Sequence, residues 1–498
     1  METSAATSRR GLVSNAIGLW DSIIVALASS APTASIALTL AAIVGASHYG
    51  GPVAIVVCTL PMLGIALAYR RLNQWRVDCG GSYAWAGLAI SPYVGFMVGW
   101  IMLLGYFLGS VSDVLPVGPY VLQIVAPSLV NTPLAAAISA TVALVVITTI
   151  AYIGIRVTAR FQWLFAAVEY AITITFAVVT FAAVLGGHRG TAPFSWRWLS
   201  WSGLGGTAGL SAGILVAVYM FSGWDTAIYI NEETRDARQT TGRAAITSVL
   251  LLAVLYTFLT LAYQGGVSSV RLQENGSNAL AYIVRAVAGP PWDTVMVAAV
   301  LLSVIATTQA AIVSGSRIMF AMSGDRTLPP ALGKPQPRFH TPGRATLLFA
   351  GITAVVLWFY LLGSSSVSAT FGTVVSSVGL LFAAFYAMTG IAVAVYYRKL
   401  ALQRPMGLLT LLVIPLASSA FLIWVIISSV PNQGGWGGPT LRAVYIMLAI
   451  GLVVMLWARL GERSSFFERS IEAYEPGRTR LDPSLATDPP APRIRGAQ

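Results

Sequence analysis

The stretch "FSGWDTAIYINEET", residues 221–234, places an aspartate inside a segment that otherwise has the composition of a membrane helix. Residues 210–221 are almost wholly apolar, and Ser222 and Gly223 then interrupt the run just before Asp225. An ionised carboxylate in hydrocarbon costs several kcal/mol, so such a residue usually has a function. Glycine and serine also allow a helix to unwind. We therefore expect a broken helix at this position, with Asp225 serving the break.

The composition of the whole chain is that of a membrane protein. Of its 498 residues, 56% are hydrophobic and only 10% are charged, and the mean hydropathy is +0.75. A soluble domain carries about 25% charged residues. The net charge of +12 can indicate nucleic-acid binding, but the positions of the basic residues indicate orientation in a membrane instead. We expect the lipid bilayer as the surroundings and no nucleic-acid partner.

Apolar stretches of about 20 residues, the length that crosses a bilayer, recur along the chain. They predict an all-α integral membrane protein with twelve spans, numbered here one to twelve. The predicted spans lie near residues 15–45, 52–72, 93–126, 133–154, 158–185, 208–231, 243–264, 293–322, 344–362, 369–397, 407–430 and 441–459.

Lysine and arginine are distributed unequally between the predicted faces. With both termini in the cytoplasm, 18 of these residues fall on the inner face, 7 in the C-terminal tail from Arg459, and 5 in outer loops. Cytoplasmic loops of membrane proteins carry the excess of basic residues. We therefore predict a multi-pass protein of the cell membrane whose N- and C-termini are both cytoplasmic.

A second interruption lies in span one, at "ASSAPTASI", residues 28–36. Pro32 cannot donate a backbone hydrogen bond, and Ser29 and Ser30 offer partners to carbonyl groups freed there. By itself this pattern favours an ordinary proline kink. Spans one and six hold corresponding places in two five-span halves, however, and paired interruptions of this kind indicate a transporter with inverted repeats.

Unwound segments supply both amide donors and carbonyl acceptors, so they can bind the carboxylate and the ammonium group of an amino acid or amine. Trp224 is interpreted as a lid over the substrate or as a core residue. The predicted substrate-binding residues are those of the two breaks: Ser29, Ser30, Ala31, Pro32, Phe221, Ser222, Gly223, Trp224 and Asp225.

Three cytoplasmic motifs give the chain a resemblance to a known family. They are "GGSYAW" at 80–85, "NEETRDARQTTGRA" at 231–244 and "SRIMFAMSGDRTLPPALGKPQPRFHTP" at 316–342. In this order they resemble the amino acid–polyamine–organocation (APC) superfamily permeases. Gly223-Trp224-Asp225 is similar to the glycine–aromatic–glutamate break of that family, with a shorter acid.

The resemblance implies the five-plus-five inverted-repeat, leucine-transporter-like fold with helices 1 and 6 broken. The expected domains are a cytoplasmic segment 1–10, a first repeat 11–200, a second repeat 201–405, helices eleven and twelve at 406–460, and a disordered cytoplasmic tail 461–498. The family's acidic position also suggests that Asp225 organises the break, by accepting hydrogen bonds from local backbone amides, rather than binding a cationic side chain.

Glu169 in span five aligns with a position where many sodium-independent relatives place a lysine. A carboxyl group there can carry a proton, help to ligate sodium, or simply bond to hydroxyls of span eight; Thr308 of span eight is predicted to face span one. We expect Glu169 and Thr308 to serve ion coupling, with H⁺ favoured and Na⁺ the alternative. Asp113 near Pro116 is interpreted as an outer-vestibule residue outside the site.

These features predict a secondary active transporter for a neutral or cationic amino acid, working by proton symport or exchange. A polyamine or organic amine transporter and a sodium-coupled symporter stay open, as does a non-transporting sensor or channel on the same scaffold. The three histidines lie in predicted loops, and no metal-binding or phosphate-binding pattern is present. We therefore expect no enzyme activity, no cofactor and no metal site.

Overall fold

The computed structural model describes residues 8, 10–363 and 367–469, and these are almost entirely helical. Within them the only strand-like pairing is an isolated parallel bridge between Ile17 and Thr234. The first half of the chain has the helices α1 Leu19–Ser30, α2 Pro32–Ser47, α3 Gly51–Trp75, α4 Ser82–Ala89, α5 Pro92–Val114, α6 Val117–Val125, α7 Pro133–Ile153 and α8 Ile155–Leu185.

The second half continues the same pattern of long apolar helices joined by short connections. Its helices are α9 Gly206–Phe221, α10 Thr226–Tyr229, α11 Ala237–Tyr263, α12 Ser269–Glu274, α13 Ala279–Ala288, α14 Trp292–Gly324, α15 Gly343–Gly363, α16 Val367–Ala401, α17 Pro405–Leu408, α18 Ile414–Ser429 and α19 Pro439–Leu460. A π-helical turn, Leu409–Val413, joins α17 to α18.

Proline and glycine determine where many of these helices begin. Pro92, Pro133 and Pro439 each occupy the first turn of a helix, where the missing N–H has no helical partner to lose. Gly154 separates α7 from α8 with a φ of 136°, a backbone conformation that a residue with a side chain rarely adopts. The helix boundaries therefore follow from local sequence.

Eleven stretches of the described residues are long and apolar enough to cross a membrane. The first of them, Leu19–Trp75, has 57 residues and contains a 3₁₀ turn at His48–Gly50. Since about 20 residues cross a bilayer, this stretch is long enough for two crossings. The protein is thus a multi-pass membrane protein, while the count of twelve spans, the inverted repeat and the repeat boundaries stay predictions.

The helices differ strongly in how much of their surface is covered by protein. Most of α14 and α16 is buried, whereas α8 and α19 expose many large apolar side chains, such as Val178 and Val453. An exposed apolar helix face is what contact with lipid requires. The central helices α5, α14 and α16 therefore form the core, against which the broken helices pack.

The start of the tail differs from the expectation of disorder. Phe466 is buried and stacks on Tyr83 with a centroid distance of 4.8 Å, and the Arg469 guanidinium pairs with Asp325 at 2.8 Å. Residues 461–469 are therefore packed on the helical body, because an aromatic side chain and a salt bridge anchor them. Residues 470–498 of the predicted tail lie outside the described residues.

Candidate functional site

The break in span one is present as expected. The first half, α1, ends at Ser30, and Ala31 has left-handed backbone angles, φ 43° and ψ 67°. Pro32 then begins α2 as its first residue. The carbonyl oxygen of Ser29 at this break accepts a hydrogen bond of 2.8 Å from the Thr307 hydroxyl on α14. Span one therefore consists of two helices joined at a buried corner.

The break in span six lies directly against it. Helix α9 ends at Phe221, and Gly223 has a φ of 105°. A β-carbon at Gly223 would lie only 2.6 Å from the carbonyl oxygen of Ser29 and 2.7 Å from its hydroxyl oxygen. Both the backbone angle and this close approach require glycine. The two interrupted backbones are thus in contact.

Hydroxyl groups of neighbouring helices tie the two breaks together. The Tyr256 hydroxyl on α11 lies 2.6 Å from the carbonyl oxygen of Ser30 and 2.5 Å from that of Met220, so it is within reach of both breaks. The Thr226 hydroxyl donates to the Ser29 hydroxyl at 2.8 Å. Carbonyl groups without helical partners are in this way satisfied by side chains.

A narrow cavity of about 30 Å³ opens between the breaks and the core helices. A cavity of this size holds about two water molecules, so a larger ligand requires the helices to move apart. The residues that line it are Ser29, Ser30, Ala31, Ala34, Ser35, Leu38, Gly105, Tyr106, Gly109, Asp113, Tyr219, Ser222, Gly223, Thr307, Ala311, Val378 and Phe382. Both breaks therefore contribute to a single cavity.

The structure brings together five of the nine predicted substrate-binding residues around this cavity. These are Ser29, Ser30, Ala31, Ser222 and Gly223. The remaining four, Pro32, Phe221, Trp224 and Asp225, belong to the same breaks but do not line the cavity.

Trp224 and Phe221 are packed into the protein instead. The Trp224 ring is completely buried, stacks on Tyr386 at a centroid distance of 5.3 Å and meets the edge of Tyr69 at 5.2 Å. Phe221 packs edge-on against Tyr256. The interpretation of Trp224 as a lid is therefore wrong, because this aromatic cluster offers its ring more contact than the cavity does.

Asp225 supports the break, but with other partners than expected. Its carboxyl group accepts hydrogen bonds from the hydroxyls of Tyr106 at 2.9 Å, Tyr386 at 2.8 Å, and Tyr229. These tyrosines stand on α5, α16 and α10, so one carboxyl group connects three helices. Two of the three hydroxyls come from distant helices, α5 and α16, and these partners cannot be recognised from the sequence of the break alone.

Glu169 is completely buried on α8, and neither of its carboxyl oxygens has a hydrogen-bond partner within the described residues. The Ser303 hydroxyl on α14 is near enough to favour the ionised carboxylate as a weak hydrogen-bond donor, although it does not form a well-aligned hydrogen bond, and it accepts the N–H of Ala34 at 3.2 Å. One turn along α8, the Thr173 hydroxyl is 3.0 Å from that of Thr33 on α2. Glu169 thus lies among oxygen-bearing side chains of spans one, five and eight.

The two adjacent threonines of α14 have different partners. The Thr308 hydroxyl donates to the carbonyl of Val304 in its own helix at 2.8 Å. The Thr307 hydroxyl instead reaches Ser29 and also approaches the Asp113 carboxylate at 3.3 Å. Thr307 therefore makes the hydrogen bond to α1, whereas Thr308, which was predicted to face span one, bonds within its own helix.

Sequence reasoning also missed the contribution of span three. Gly105, Gly109 and Asp113 recur every four residues and so lie on one face of α5, and all three line the cavity. The interpretation of Asp113 as an outer-vestibule residue is wrong for that reason. The four-residue spacing of two glycines and an acid was the signal available in the sequence.

A second, larger cavity of about 790 Å³ lies among the loops that carry the three motifs. Asp78, Cys79 and Glu232 approach each other here in an arrangement that could hold a metal ion. The Arg10 guanidinium already lies among them, 2.9 Å from Asp78, 3.1 Å from the Cys79 sulfur and 3.4 Å from Glu232. A cation from the chain itself therefore occupies this position.

Burial alone would raise the pKa of Asp78, but the guanidinium groups of Arg10 and Arg76 outweigh it and lower this pKa to about 2. Nearby, Glu233 of the second motif pairs with Arg317 of the third, both buried, at 2.5 Å. The motifs that carry the family resemblance thus meet in one ion-paired layer below the broken helices.

Comparison with known proteins agrees with this architecture. Residues 17–455 match the family model described as amino acid permease. The match covers nearly the whole helical region, including both breaks and all three motifs.

The chain is similar to several characterised proteins. It is 24% identical over 331 residues to the low-affinity putrescine importer PlaP of Escherichia coli (strain K12), covering 65% of this chain and 70% of the relative. It is 26% identical over 379 residues to the Asc-type amino acid transporter 1 of Mus musculus, covering 75% and 68%. It is 23% identical over 426 residues to the methylthioribose transporter of Bacillus subtilis (strain 168), covering 82% and 86%.

Proposed function

Because this chain belongs to the amino acid permease family, we propose that it is a secondary active transporter that moves an amino acid or an amine across the cell membrane. Permeases transport and do not transform their substrates, so the chain is a transporter and not an enzyme. The observation that best supports this proposal is that the α1–α2 and α9–α10 breaks meet at one cavity.

The relatives support this substrate class without selecting one compound. Their names refer to putrescine, to amino acids and to methylthioribose, at 23–26% identity. A primary amine is common to putrescine and the amino acids. An amino acid, neutral or cationic, is the substrate that we propose, with a polyamine or other organic amine as the alternative.

Proton coupling through Glu169 is the second part of the proposal. A buried carboxyl group without hydrogen-bond donors is stable when it takes up a proton or a cation. Its position beside α14 and α2 allows protonation to respond to movement of the broken helix. Sodium coupling is the alternative, in which Thr308 would help to provide oxygen ligands.

The basic residues of the loops support an orientation with both termini in the cytoplasm. In this orientation the ion-paired layer of Arg10, Asp78, Glu233 and Arg317 lies at the cytoplasmic side of the cavity. Reaction of single exposed cysteines, introduced at Arg197 in a predicted outer loop and at Arg404 in a predicted inner loop, with a membrane-impermeant thiol reagent tests the orientation in intact cells.

A thermal-shift screen of the purified full-length protein against amino acids and polyamines tests the transport proposal. Only compounds that bind the folded state raise the melting temperature. Those that do are then tested for uptake into proteoliposomes, with pH and sodium gradients imposed separately. Absence of both binding and uptake for every amino acid and amine would refute the proposal.

A further inference from the structure

Asp113 differs from Asp225 and Glu169 in its exposure to the cavity. Asp113 is partly exposed to the cavity, whereas Asp225 and Glu169 are completely buried. Within the described residues its only hydrogen bond comes from Thr307, at a long 3.3 Å. A carboxylate has room for about four hydrogen bonds, so most of its acceptor capacity faces the cavity.

No positive charge of the protein balances this group. The described lining of the cavity contains Asp113 and no lysine, arginine or histidine. The other nearby acid, Asp225, is already bonded to three tyrosine hydroxyls. A ligand that enters the cavity therefore meets one carboxyl group whose oxygens have almost no partner, and a cationic ligand stabilises the ionised form of that group.

The surroundings of Asp113 suit an ammonium group. The Thr307 hydroxyl lies 2.8 Å from the Ser29 carbonyl oxygen and 3.3 Å from the Asp113 carboxylate, and its single proton can serve only one of them at a time. The carbonyl at the α1 break and the carboxylate therefore lie on either side of one hydroxyl. An ammonium group has three donors and no acceptor, and both oxygens can accept from it. A carboxylate ligand placed here would be repelled.

Open space next to such a group exists over Gly109, one turn before Asp113, where a carbon chain can begin once the helices move apart. A β-carbon built at Gly109 would meet no described atom within 4 Å apart from its own helix, and Gly109 lines the cavity. At Gly105, in contrast, the added carbon would lie 3.1 Å from the Phe382 ring. The open space therefore lies beside Gly109, near Asp113, and not beside Gly105.

We propose that Asp113 is the anionic anchor for a primary ammonium group of the substrate, with its adjoining carbon chain lying over Gly109. This inference rests on the proposed transport function and narrows its substrate to compounds with a primary amine. Diamines and amino acids share that chemistry, and the experiment below distinguishes them.

The test measures dissociation constants of the purified full-length protein by calorimetry for putrescine, L-alanine and L-lysine, with ammonium-free 1,4-butanediol as the comparison. The wild type is expected to bind at least one of the three amines and not the diol. Which amines bind distinguishes a diamine site from an amino acid site. Loss of one partner of a buried charge pair typically weakens binding at least about thirtyfold, and we expect this of Asp113→Asn.

Two further variants control for nonspecific effects. Asp293→Asn removes the same charge from the start of α14, where Asp293 pairs with the exposed Arg285 at 3.5 Å, and should leave all affinities unchanged. Gly109→Val places its side chain in the open space, where the β-carbon meets no described neighbour, so we expect it to keep the ligand-free melting temperature and to weaken amine binding.

Unchanged amine affinity in Asp113→Asn overturns the proposal, as does wild-type binding of the diol equal to that of putrescine. If Asp113→Asn does not fold, unchanged affinity in Gly109→Val overturns it instead. A wild type that shows neither binding nor uptake for any compound of the wider amino acid and amine screen refutes the transport function itself. That result is distinct from an intact transporter whose amine affinity does not depend on Asp113.

Discussion

Asp225 and Glu169 are two completely buried carboxyl groups in predicted membrane spans, and their surroundings are opposite. Asp225 accepts hydrogen bonds from three tyrosines on three different helices. Glu169 has no hydrogen-bond partner within the described residues. A buried polar group is costly unless it is satisfied. The difference supports the proposal that Asp225 connects helices while Glu169 serves ion coupling.

The helices around the two acids fit these separate roles. Asp225 lies in densely packed aromatic surroundings. They include its three hydrogen-bonding tyrosines, Tyr106, Tyr229 and Tyr386, together with Trp224. Glu169 has small hydroxyl-bearing neighbours, such as Ser303. Rigid packing suits a connector, whereas small polar neighbours leave space for a change in protonation or for an ion.

We expect the largest loss of uptake from a change in the α9–α10 break, which Asp225 supports. In Gly223→Val, the side chain would overlap the Ser29 carbonyl, and the φ of 105° would be strained. We expect uptake to fall at least about a hundredfold, because the two breaks can no longer approach each other. The measurement is initial uptake rate per folded transporter in proteoliposomes.

A matched control for that variant is Gly351→Val on α15, where an added β-carbon meets no described atom within 4 Å and the residue is exposed. Its uptake should stay close to that of the wild type. Normal uptake by Gly223→Val at normal expression would exclude the α9–α10 break as the substrate site.

Asp225→Asn should cause the next largest effect. The amide has one acceptor oxygen in place of two, so at least one tyrosine hydroxyl loses its partner, and hydrogen bonds to charged groups contribute about 1.5–3 kcal/mol each. We expect the free energy of unfolding to fall by about 2–4 kcal/mol, and uptake of neutral and cationic substrates to fall alike. Tyr106→Phe removes only one donor and should cost less. Selective loss of the cationic substrate would show instead that Asp225 binds substrate.

Glu169→Gln should leave stability almost unchanged, within about 1 kcal/mol, because no hydrogen bond is lost. Accumulation driven by a pH gradient should disappear, while exchange of substrate across the membrane continues. Proteoliposomes with an imposed pH gradient measure both. Accumulation that persists in the variant contradicts the proton-carrier role, and loss of wild-type uptake on removal of sodium at a constant pH gradient supports the alternative ion.

The smallest expected effect is that of Thr308→Ala. Its hydroxyl bonds back to Val304 of its own helix, a contact that usually contributes little to stability. If the coupling ion is a proton, uptake should change less than about threefold. If sodium is coupled, the variant should need a higher sodium concentration for half-maximal uptake. A sodium titration of wild type and variant side by side separates these outcomes.

The fold was largely predictable because its determinants are local. Apolar length, proline at helix starts, and the Ser222-Gly223 and Ser30-Pro32 interruptions indicate helices and their breaks without knowledge of their neighbours. The family motifs added the expectation that spans one and six meet, and the contact of Gly223 with Ser29 agrees with it.

The site was less predictable because its contacts join residues far apart in the chain. The partners of Asp225 stand on α5, α10 and α16, and only one of these helices belongs to the break itself. Whether Trp224 faces the cavity or the aromatic cluster depends on Tyr386, 162 positions later. Asp113 was placed outside the site because it is close to Pro116 in the sequence. In the structure, however, its neighbour is Thr307.

The Tyr256 hydroxyl lies within hydrogen-bonding distance of two carbonyl oxygens, Ser30 at 2.6 Å and Met220 at 2.5 Å, but a phenol has only one proton to donate. At any instant its proton is therefore donated to only one of the two carbonyl oxygens. The α1–α2 break has further hydrogen bonds from Thr307 and Thr226. If transport separates the two breaks, we expect Tyr256 to keep its hydrogen bond to one carbonyl oxygen and to lose contact with the other.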